Sequence, residues 1–127
     1  MKAEIVVGIV YDTNQILIVK RKVPEESLIW QFPGGYILKD ESEKEAVIRK
    51  VKVETGCDVN AIKCLGIRQH PDTKVAISYW ACKYTRGSID VKDEDISEAK
   101  WIKISELADY LSSIFEPVIE FLNQEIQ

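Results

Sequence analysis

Residues 30–57 read WQFPGGYILKDESEKEAVIRKVKVETGC, and they carry the clearest structural signals of the chain. Ser42, with Glu45 three residues later, is the pattern of a capping box, in which each side chain bonds the backbone of the other residue. Gly56 is a suitable left-handed stop for a helix. These signals together predict a helix over residues 42–55.

A glycine turn precedes this helix. Trp30 to Phe32 predicts a short extended stretch, and Pro33, Gly34 and Gly35 predict a turn whose backbone geometry side chains would forbid. A turn that enters a capped helix exposes backbone groups that can contact phosphate or metal. Because many folds contain a Gly-Gly turn before a helix, this feature alone is weak evidence for phosphate chemistry.

Strand-forming runs and turn signals alternate through the rest of the chain. The predicted strands are Ile5 to Val10, Gln15 to Lys22, Val59 to Ile67, Val75 to Tyr84, Ile89 to Val91 and Ala99 to Ile102, and the later helices are Ser105 to Leu111 and Glu116 to Gln124. The first two strands flank a turn-forming cluster and predict a hairpin, and the connection from there to Trp30 is predicted to be a loop. This order favours an α/β fold with a mixed sheet packed between helices.

Length and composition limit the class of protein. The 127 residues, 46% hydrophobic and 30% charged, predict one globular domain over residues 1–127. There is no long uncharged apolar run and no signal-peptide pattern, so we expect a cytoplasmic protein without a membrane partner. The formal net charge of −4 disfavours binding to a nucleic-acid polymer. The sequence leaves the oligomeric state open, a homodimer included.

The three cysteines, Cys57, Cys64 and Cys82, share no CxxC or His-paired spacing. Neither a zinc site nor a disulfide framework is therefore indicated. Free cysteine is among the residue types most often found in protein cores. We expect three buried, reduced thiols.

The spacing from the glycine turn onward resembles the Nudix box, G-x5-E-x7-R-E-U-x-E-E-x-G-U, where U is a bulky apolar residue. The matching positions are Gly35, Glu41, Arg49, Val51, Glu54, Gly56 and Cys57. Trp30 to Gly35 is similar to the segment that precedes the box in MutT-like members, and residues 98–107 are similar to their C-terminal segment. The resemblance implies an α/β/α sandwich that hydrolyses a nucleoside diphosphate linked to another moiety, by attack of water on phosphorus with Mg²⁺ or Mn²⁺ assisting.

The box is degenerate at two positions, because Lys50 and Val53 stand where the family has Glu. Positions 50, 53 and 54 project from one face of a helix, where they could hold one ion cluster. An ammonium in place of a carboxylate about 6 Å from a divalent ion changes their interaction by roughly 3 kcal/mol even in water. Lys50 can also pair with Glu54. The sequence therefore predicts weakened metal binding.

By the resemblance, Glu54 and the backbone carbonyl of Gly34 are the remaining metal contacts, and Glu54 is also a catalytic residue. Glu41 and Arg49 are implied to form an ion pair that orients the loop against the helix. The alternative for that pair is a purely architectural role. The alternative for Glu54 is that it is an ordinary helix carboxylate.

Two further sets of residues are candidates for the site. MutT-like enzymes often take another acid from the C-terminal segment as ligand or base; Glu98 is the first candidate here, followed by Asp95 and Glu94, and the alternative is a solvated acidic loop. His70, which precedes Pro71, is a candidate substrate contact, although polar residues before proline are ordinary in turns.

Arg21 and Lys22 end the second predicted strand, and Trp30 precedes the glycine turn. A nucleobase could stack on the indole while the cations meet phosphates. The alternative is a pair of edge-strand cations and a core tryptophan.

Three functions stay open from the sequence. The first is a pyrophosphohydrolase acting on nucleoside triphosphates or related nucleotides, with metal carried partly by the substrate's own phosphates. The second is a Nudix-fold nucleotide-binding or regulatory module, in which Lys50 grips a phosphate directly without turning it over. The third is an α/β domain that acts through protein contacts alone.

Overall fold

The structure is a computed structural model that describes residues 2–25 and 28–124 of the chain. Its strands are β1 (Ile5–Asp12), β2 (Gln15–Glu25), β3 (Leu28–Gln31), β4 (Gly34–Tyr36), β5 (Asp58–Gln69), β6 (Ala76–Arg86) and β7 (Ile96–Lys103). Its helices are α1 (Glu43–Thr55), α2 (Leu107–Tyr110) and α3 (Glu116–Gln124), with a 3-10 turn over Ile104–Glu106.

The strands of the described ranges form one mixed sheet. Its main order is β3-β2-β1-β6-β5, with β4 pairing β1 and β7 pairing β2. Strands β1 and β6 run parallel, whereas the other pairs are antiparallel. The sequence prediction of a mixed sheet is confirmed, and so is the interior position of the strand that begins near Val75.

Helices pack on both faces of this sheet. Helix α1 places Ala46, Val47 and Val51 in a buried cluster with residues of β1 and β2. On the opposite face, Val118 and Phe121 of α3 join a second buried cluster that includes alternate residues of the same strands. The fold is therefore the α/β/α sandwich expected from the sequence. No helix within the described ranges is long and apolar enough to cross a lipid bilayer.

Helix α1 begins and ends where its sequence signals predict. The Ser42 side chain accepts a hydrogen bond from the Glu45 backbone N–H, and the Glu45 carboxylate accepts one from Ser42. Gly56 adopts a left-handed φ of 86° and donates its N–H to the Lys52 carbonyl. The cap signals are local, so the surrounding fold does not override them.

Several predicted elements differ from the structure. The loop predicted before Trp30 is wrong at its ends, because β2 continues to Glu25 and β3 begins at Leu28; residues 26 and 27 lie outside the described part. The strand predicted at Ile89 to Val91 is also wrong. That segment is irregular because its backbone bonds to the end of α1, where Asp90 donates to the Thr55 carbonyl.

The glycine pair also has a different structural role from the one predicted. Gly34 and Gly35 lie in β4 and pair with β1, and neither has a positive φ. The cysteine prediction is wrong for one residue, since Cys64 is exposed on β5 while Cys57 and Cys82 are buried.

Candidate functional site

Glu54 is the acid that the structure holds most firmly against the glycine pair. It lies near the end of α1 and is only 2% exposed. Its Oε1 accepts a hydrogen bond of 3.2 Å from the Gly34 backbone N–H. A buried carboxylate needs such partners, because removing it from water is costly. The contact joins α1 directly to the glycine pair of β4.

The Lys50 ammonium lies between two carboxylates. Its Nζ is 3.3 Å from Glu54 Oε2 and 3.4 Å from Asp93 Oδ2. The Lys50 stem passes over Gly35, where a Cβ would be 2.6 Å from Lys50 Cε. The pairing of Lys50 with Glu54 that the helix spacing allows is therefore present, and Gly35 leaves the space for it.

Asp93 lies beside Lys50, a contact that the sequence patterns did not predict. The segment before it docks on the end of α1, where the Lys92 and Asp93 backbone N–H groups both donate to the Val53 carbonyl, at 3.0 and 3.1 Å. Asp93 Oδ1 accepts a hydrogen bond from the Asp95 N–H, which leaves Oδ2 for Lys50. An aspartate that begins such a turn is a recognisable pattern, and this pattern distinguishes Asp93 from its acidic neighbours Glu94 and Asp95 in the sequence.

Burial sets the protonation of the site. It raises the pKa of Glu54 to about 7, while the Lys50 ammonium and the Gly34 N–H act in the opposite direction. The desolvation of the charged form is the largest effect on this carboxyl.

The residues present do not fit a resident divalent ion. Within residues 2–25 and 28–124, no three His, Cys, Asp or Glu side chains gather into a group able to hold a metal. Magnesium requires several oxygen ligands. Here an ammonium already lies between Glu54 and Asp93, the two carboxylates that face each other across it.

Glu41 and Arg49 form the ion pair that the resemblance implies. Arg49 Nε donates to Glu41 Oε2 at 2.7 Å and Arg49 Nη2 donates to Oε1 at 3.0 Å, a bidentate arrangement. The Arg49 guanidinium, together with the Leu38 N–H, lowers the pKa of Glu41 to about 2. Arg49 also donates to the Tyr36 carbonyl, so the pair ties the loop after β4 to α1. This geometry is that of a positioning pair.

The predicted C-terminal acids are not among the charged groups paired around Lys50, which are Glu54 and Asp93. Glu98 is exposed on β7 and pairs with Lys20 of β2. Ile16, Ile18 and Lys20 alternate along β2 and lie on one face of the sheet, and the two isoleucines pack toward α3. Because Glu98 is the partner of Lys20, it lies on the same face, which is opposite to α1. Glu94 and Asp95 are exposed in the segment before β7. The fixed acidic neighbour of Lys50 is Asp93 instead.

Two lysines that were not among the predicted cations lie near Trp30. Lys100 Nζ lies 4.7 Å from the Trp30 ring centre and 4.4 Å from that of Tyr110, and Lys20 Nζ lies 5.9 Å from the indole. Of the two cations that the sequence suggested, Arg21 lies at an irregularity in the β2–β7 pairing, and Lys22 is exposed. The structure thus places two lysines, Lys20 and Lys100, and the ring of Tyr110 near Trp30, on the face that carries α3.

His70 lies in the turn between β5 and β6. Its Nδ1 accepts hydrogen bonds from the Asp72 and Thr73 N–H groups, which gives it a role in shaping that turn. An open cleft of about 770 Å³ lies nearby, lined by residues that include Tyr36, Glu41 and Lys74. Gly34, Lys50 and Glu54 do not line this cleft, so it is separate from the carboxylate site.

Comparisons with known proteins agree with this architecture. The NUDIX domain description matches residues 1–121. The ADP-ribose pyrophosphatase of Methanocaldococcus jannaschii is 37% identical over 65 residues, which cover 51% of this chain and 38% of that protein. A putative 8-oxo-dGTP diphosphatase of Bacillus subtilis is 30% identical over 92 residues, 72% of this chain and 59% of that protein.

The matched segments thus span 38% and 59% of these two relatives' lengths, less than two thirds in both cases. Among solved structures, the MutT protein of Methanosarcina mazei Go1 superposes with a TM-score of 0.73 at 20% identity, covering 98% of this chain and 97% of that one. This likeness supports the fold, and the domain match supplies the family. The chain therefore belongs to the NUDIX domain family, the family that its degenerate box resembles.

Proposed function

We propose that this chain binds a nucleoside diphosphate derivative at the Gly34–Gly35 pair of β4 and hydrolyses its pyrophosphate bond. The observation that carries the proposal is the buried Glu54 carboxylate, held against β4 by the Gly34 N–H. The names of the two relatives, an ADP-ribose pyrophosphatase and a putative 8-oxo-dGTP diphosphatase, support the substrate class. Both named substrates contain a nucleoside attached through linked phosphates.

The proposed reaction is a displacement at phosphorus. The oxygen of a water molecule bonds to one phosphorus, the bridging P–O bond breaks, and the leaving phosphate departs with the electrons of that bond. Glu54 is the proposed acceptor of the water's proton, since the Gly34 N–H orients its carboxylate. Lys50 is the nearest fixed positive charge and is proposed to contact phosphate oxygens.

Divalent cations serve Nudix hydrolases generally, and they supply charge stabilisation at phosphate oxygens when bound. In this chain Lys50 lies between Glu54 and Asp93. The proposal therefore includes Mg²⁺ or Mn²⁺ only as an ion that arrives on the substrate's own phosphates. The ion pair of Glu41 and Arg49 keeps its positioning role.

The test is turnover of ADP-ribose, 8-oxo-dGTP and the common nucleoside triphosphates, with Mg²⁺ or Mn²⁺, followed by chromatography of the products. Glu54→Gln keeps the acceptor for the Gly34 N–H but removes the proton acceptor, so we expect a loss of about 10²-fold or more. Glu120→Gln, at an exposed position of α3, is the matched control. Equal turnover in both variants would remove Glu54 from the mechanism.

A second candidate function is a nucleotide-binding or regulatory module, and one observation favours it. The Lys50 ammonium is held by two carboxylates, so the site carries a fixed positive charge of its own. This candidate expects nucleotide to raise the melting temperature equally with Mg²⁺ and with chelator. It also expects hydrolysis to appear in the double variant Lys50→Glu with Val53→Glu. A melting temperature that responds to nucleotide only when Mg²⁺ is present would contradict it.

A further inference from the structure

We propose that Lys50 is a built-in cation that excludes divalent metal from the free protein, and that its removal uncovers a metal site formed by Glu54 and Asp93. The inference rests on the proposed function only in that both concern Glu54 and Lys50. It assigns Asp93 to the site and gives Lys50 a role that does not require hydrolysis.

The first step is that three charged side chains lie close together. Lys50 Nζ is 3.3 Å from Glu54 Oε2 and 3.4 Å from Asp93 Oδ2. The side chains of Lys50, Glu54 and Asp93 are only 18%, 3% and 15% exposed. An ion held by two carboxylates with little water around it is screened less than a surface pair. The ammonium therefore occupies the place at which these acids would otherwise meet a cation.

The second step is that this arrangement is built into the backbone. Gly35 lacks the Cβ that would strike Lys50 Cε at 2.6 Å, so the Lys50 stem can lie on β4. Asp93 is fixed from the other side, because the Val53 carbonyl accepts the N–H groups of both Lys92 and Asp93. Glu54 is fixed by the Gly34 N–H. Each partner of the ammonium is thus anchored independently of Lys50.

The third step is the charge balance. Two carboxylates and one ammonium leave a net charge of −1 in the protonation state in which both acids are ionised. A divalent ion bound there would lie within a few ångströms of a positive charge. At about 4 Å, that repulsion weakens binding roughly thirtyfold even at the dielectric constant of water. Val53 adds no side-chain ligand, and its carbonyl is already engaged by the docked segment.

The experiment uses Mn²⁺ alone as the probe, without nucleotide, and measures free Mn²⁺ by electron paramagnetic resonance. We expect no saturable binding by the unmodified protein at millimolar Mn²⁺. Lys50→Gln should show saturable binding, at least about thirtyfold tighter than the limit that the titration sets for the unmodified protein, and Lys50→Glu should bind more tightly again. Adding Asp93→Asn to Lys50→Gln should abolish the gain.

Matched variants separate the role of the site from overall charge. Lys103→Gln changes the net charge by the same amount at an exposed position on β7 and should leave Mn²⁺ binding unchanged. Lys50→Arg keeps the positive charge and should still exclude the ion. Saturable binding by the unmodified protein with the affinity of Lys50→Gln would overturn the inference, and so would a gain that survives Asp93→Asn.

Loss of Lys50 leaves a buried carboxylate without its ammonium, so folding is measured alongside binding. If Lys50→Glu is unfolded in metal-free buffer, Mn²⁺ that restores its melting transition counts as binding to the folded state. If Mn²⁺ does not restore this melting transition, that result counts against a metal site formed by Glu54 and Asp93. Because no nucleotide is present, these outcomes are independent of whether the chain hydrolyses a pyrophosphate bond.

Discussion

Gly34 lies so close to Val6 that a Cβ on Gly34 would be 2.3 Å from the Val6 carbonyl oxygen. The contact follows from the antiparallel pairing of β4 with β1, in which Val6 is opposite Gly35 and Val7 is opposite Gly34. A Cβ on Gly35 would instead meet the end of the Lys50 side chain. The two neighbouring glycines are therefore required for different reasons, one by rigid backbone and the other by a flexible side chain.

Gly34→Ala should consequently destabilise the protein more than Gly35→Ala. Backbone atoms at Val6 cannot move away without disturbing the sheet, so we expect a loss of about 2–3 kcal/mol or more for Gly34→Ala. For Gly35→Ala we expect about 1 kcal/mol or less, because the end of Lys50 can shift. Urea unfolding of both variants measures the difference, and equal losses would contradict this assignment.

The sequence predicted those parts of the fold that depend on local signals. The ends of α1 are determined by Ser42, Glu45 and Gly56, and each makes the predicted contact. The hairpin of β1 and β2 likewise follows from alternating strand residues around a turn, and the pairing of Asp12 with Gln15 confirms it. In these segments local preference and tertiary packing agree.

Parts of the site could not be predicted in this way, because they depend on contacts between distant segments. Asp93 reaches Lys50 only because the irregular segment before β7 bonds to the Val53 carbonyl. The prediction for Glu98 relied on its position in the sequence, and the pairing of β7 with β2 places it beside Lys20. A one-residue change of strand register reverses the face of a side chain, which sequence spacing alone does not determine.

The ion pair of Glu41 with Arg49 predicts a pH dependence of stability. The pKa of Glu41 is lowered to about 2 from an ordinary 4.5, so its stabilising contribution is complete above pH 4.5 and is lost as the pH falls toward 2. Glu41→Gln should therefore be less stable than the unmodified protein at pH 7, with the difference shrinking below pH 4.5. Unfolding free energies across this range measure it, with Glu120→Gln as the control. A difference that stays constant down to pH 2 would contradict the ion pair as its cause.

The cysteines should react at very different rates. Burial raises the pKa of Cys82 to about 12 and also raises that of Cys57, whereas Cys64 is exposed on β5. Thiol reagents attack the thiolate and need access to it. With a disulfide reagent at pH 8, we expect one fast thiol in the native protein and three after unfolding in urea. Cys64→Ser should remove the fast phase, and its persistence would show that a buried cysteine is accessible.

Glu54 should destabilise the fold as the pH rises, in the opposite sense to Glu41. Burial raises its pKa to about 7, so between pH 4.5 and 7 the folded state binds more protons than the unfolded state, and stability falls as the pH rises through that window. Lys50 and the Gly34 N–H oppose this shift, and Asp93 adds to it.

Glu54→Gln has no charge to bury and retains an acceptor for the Gly34 N–H. From pH 4.5 to pH 8 its stability relative to the unmodified protein should therefore improve by up to roughly 3 kcal/mol. Thermal and urea unfolding at several pH values provide the measurement. A stability difference independent of pH would show that burial does not raise the pKa of the Glu54 carboxyl. If Glu54→Gln gains stability but loses turnover, the carboxylate at position 54 is present for its chemistry, because glutamine at this position gives the more stable fold.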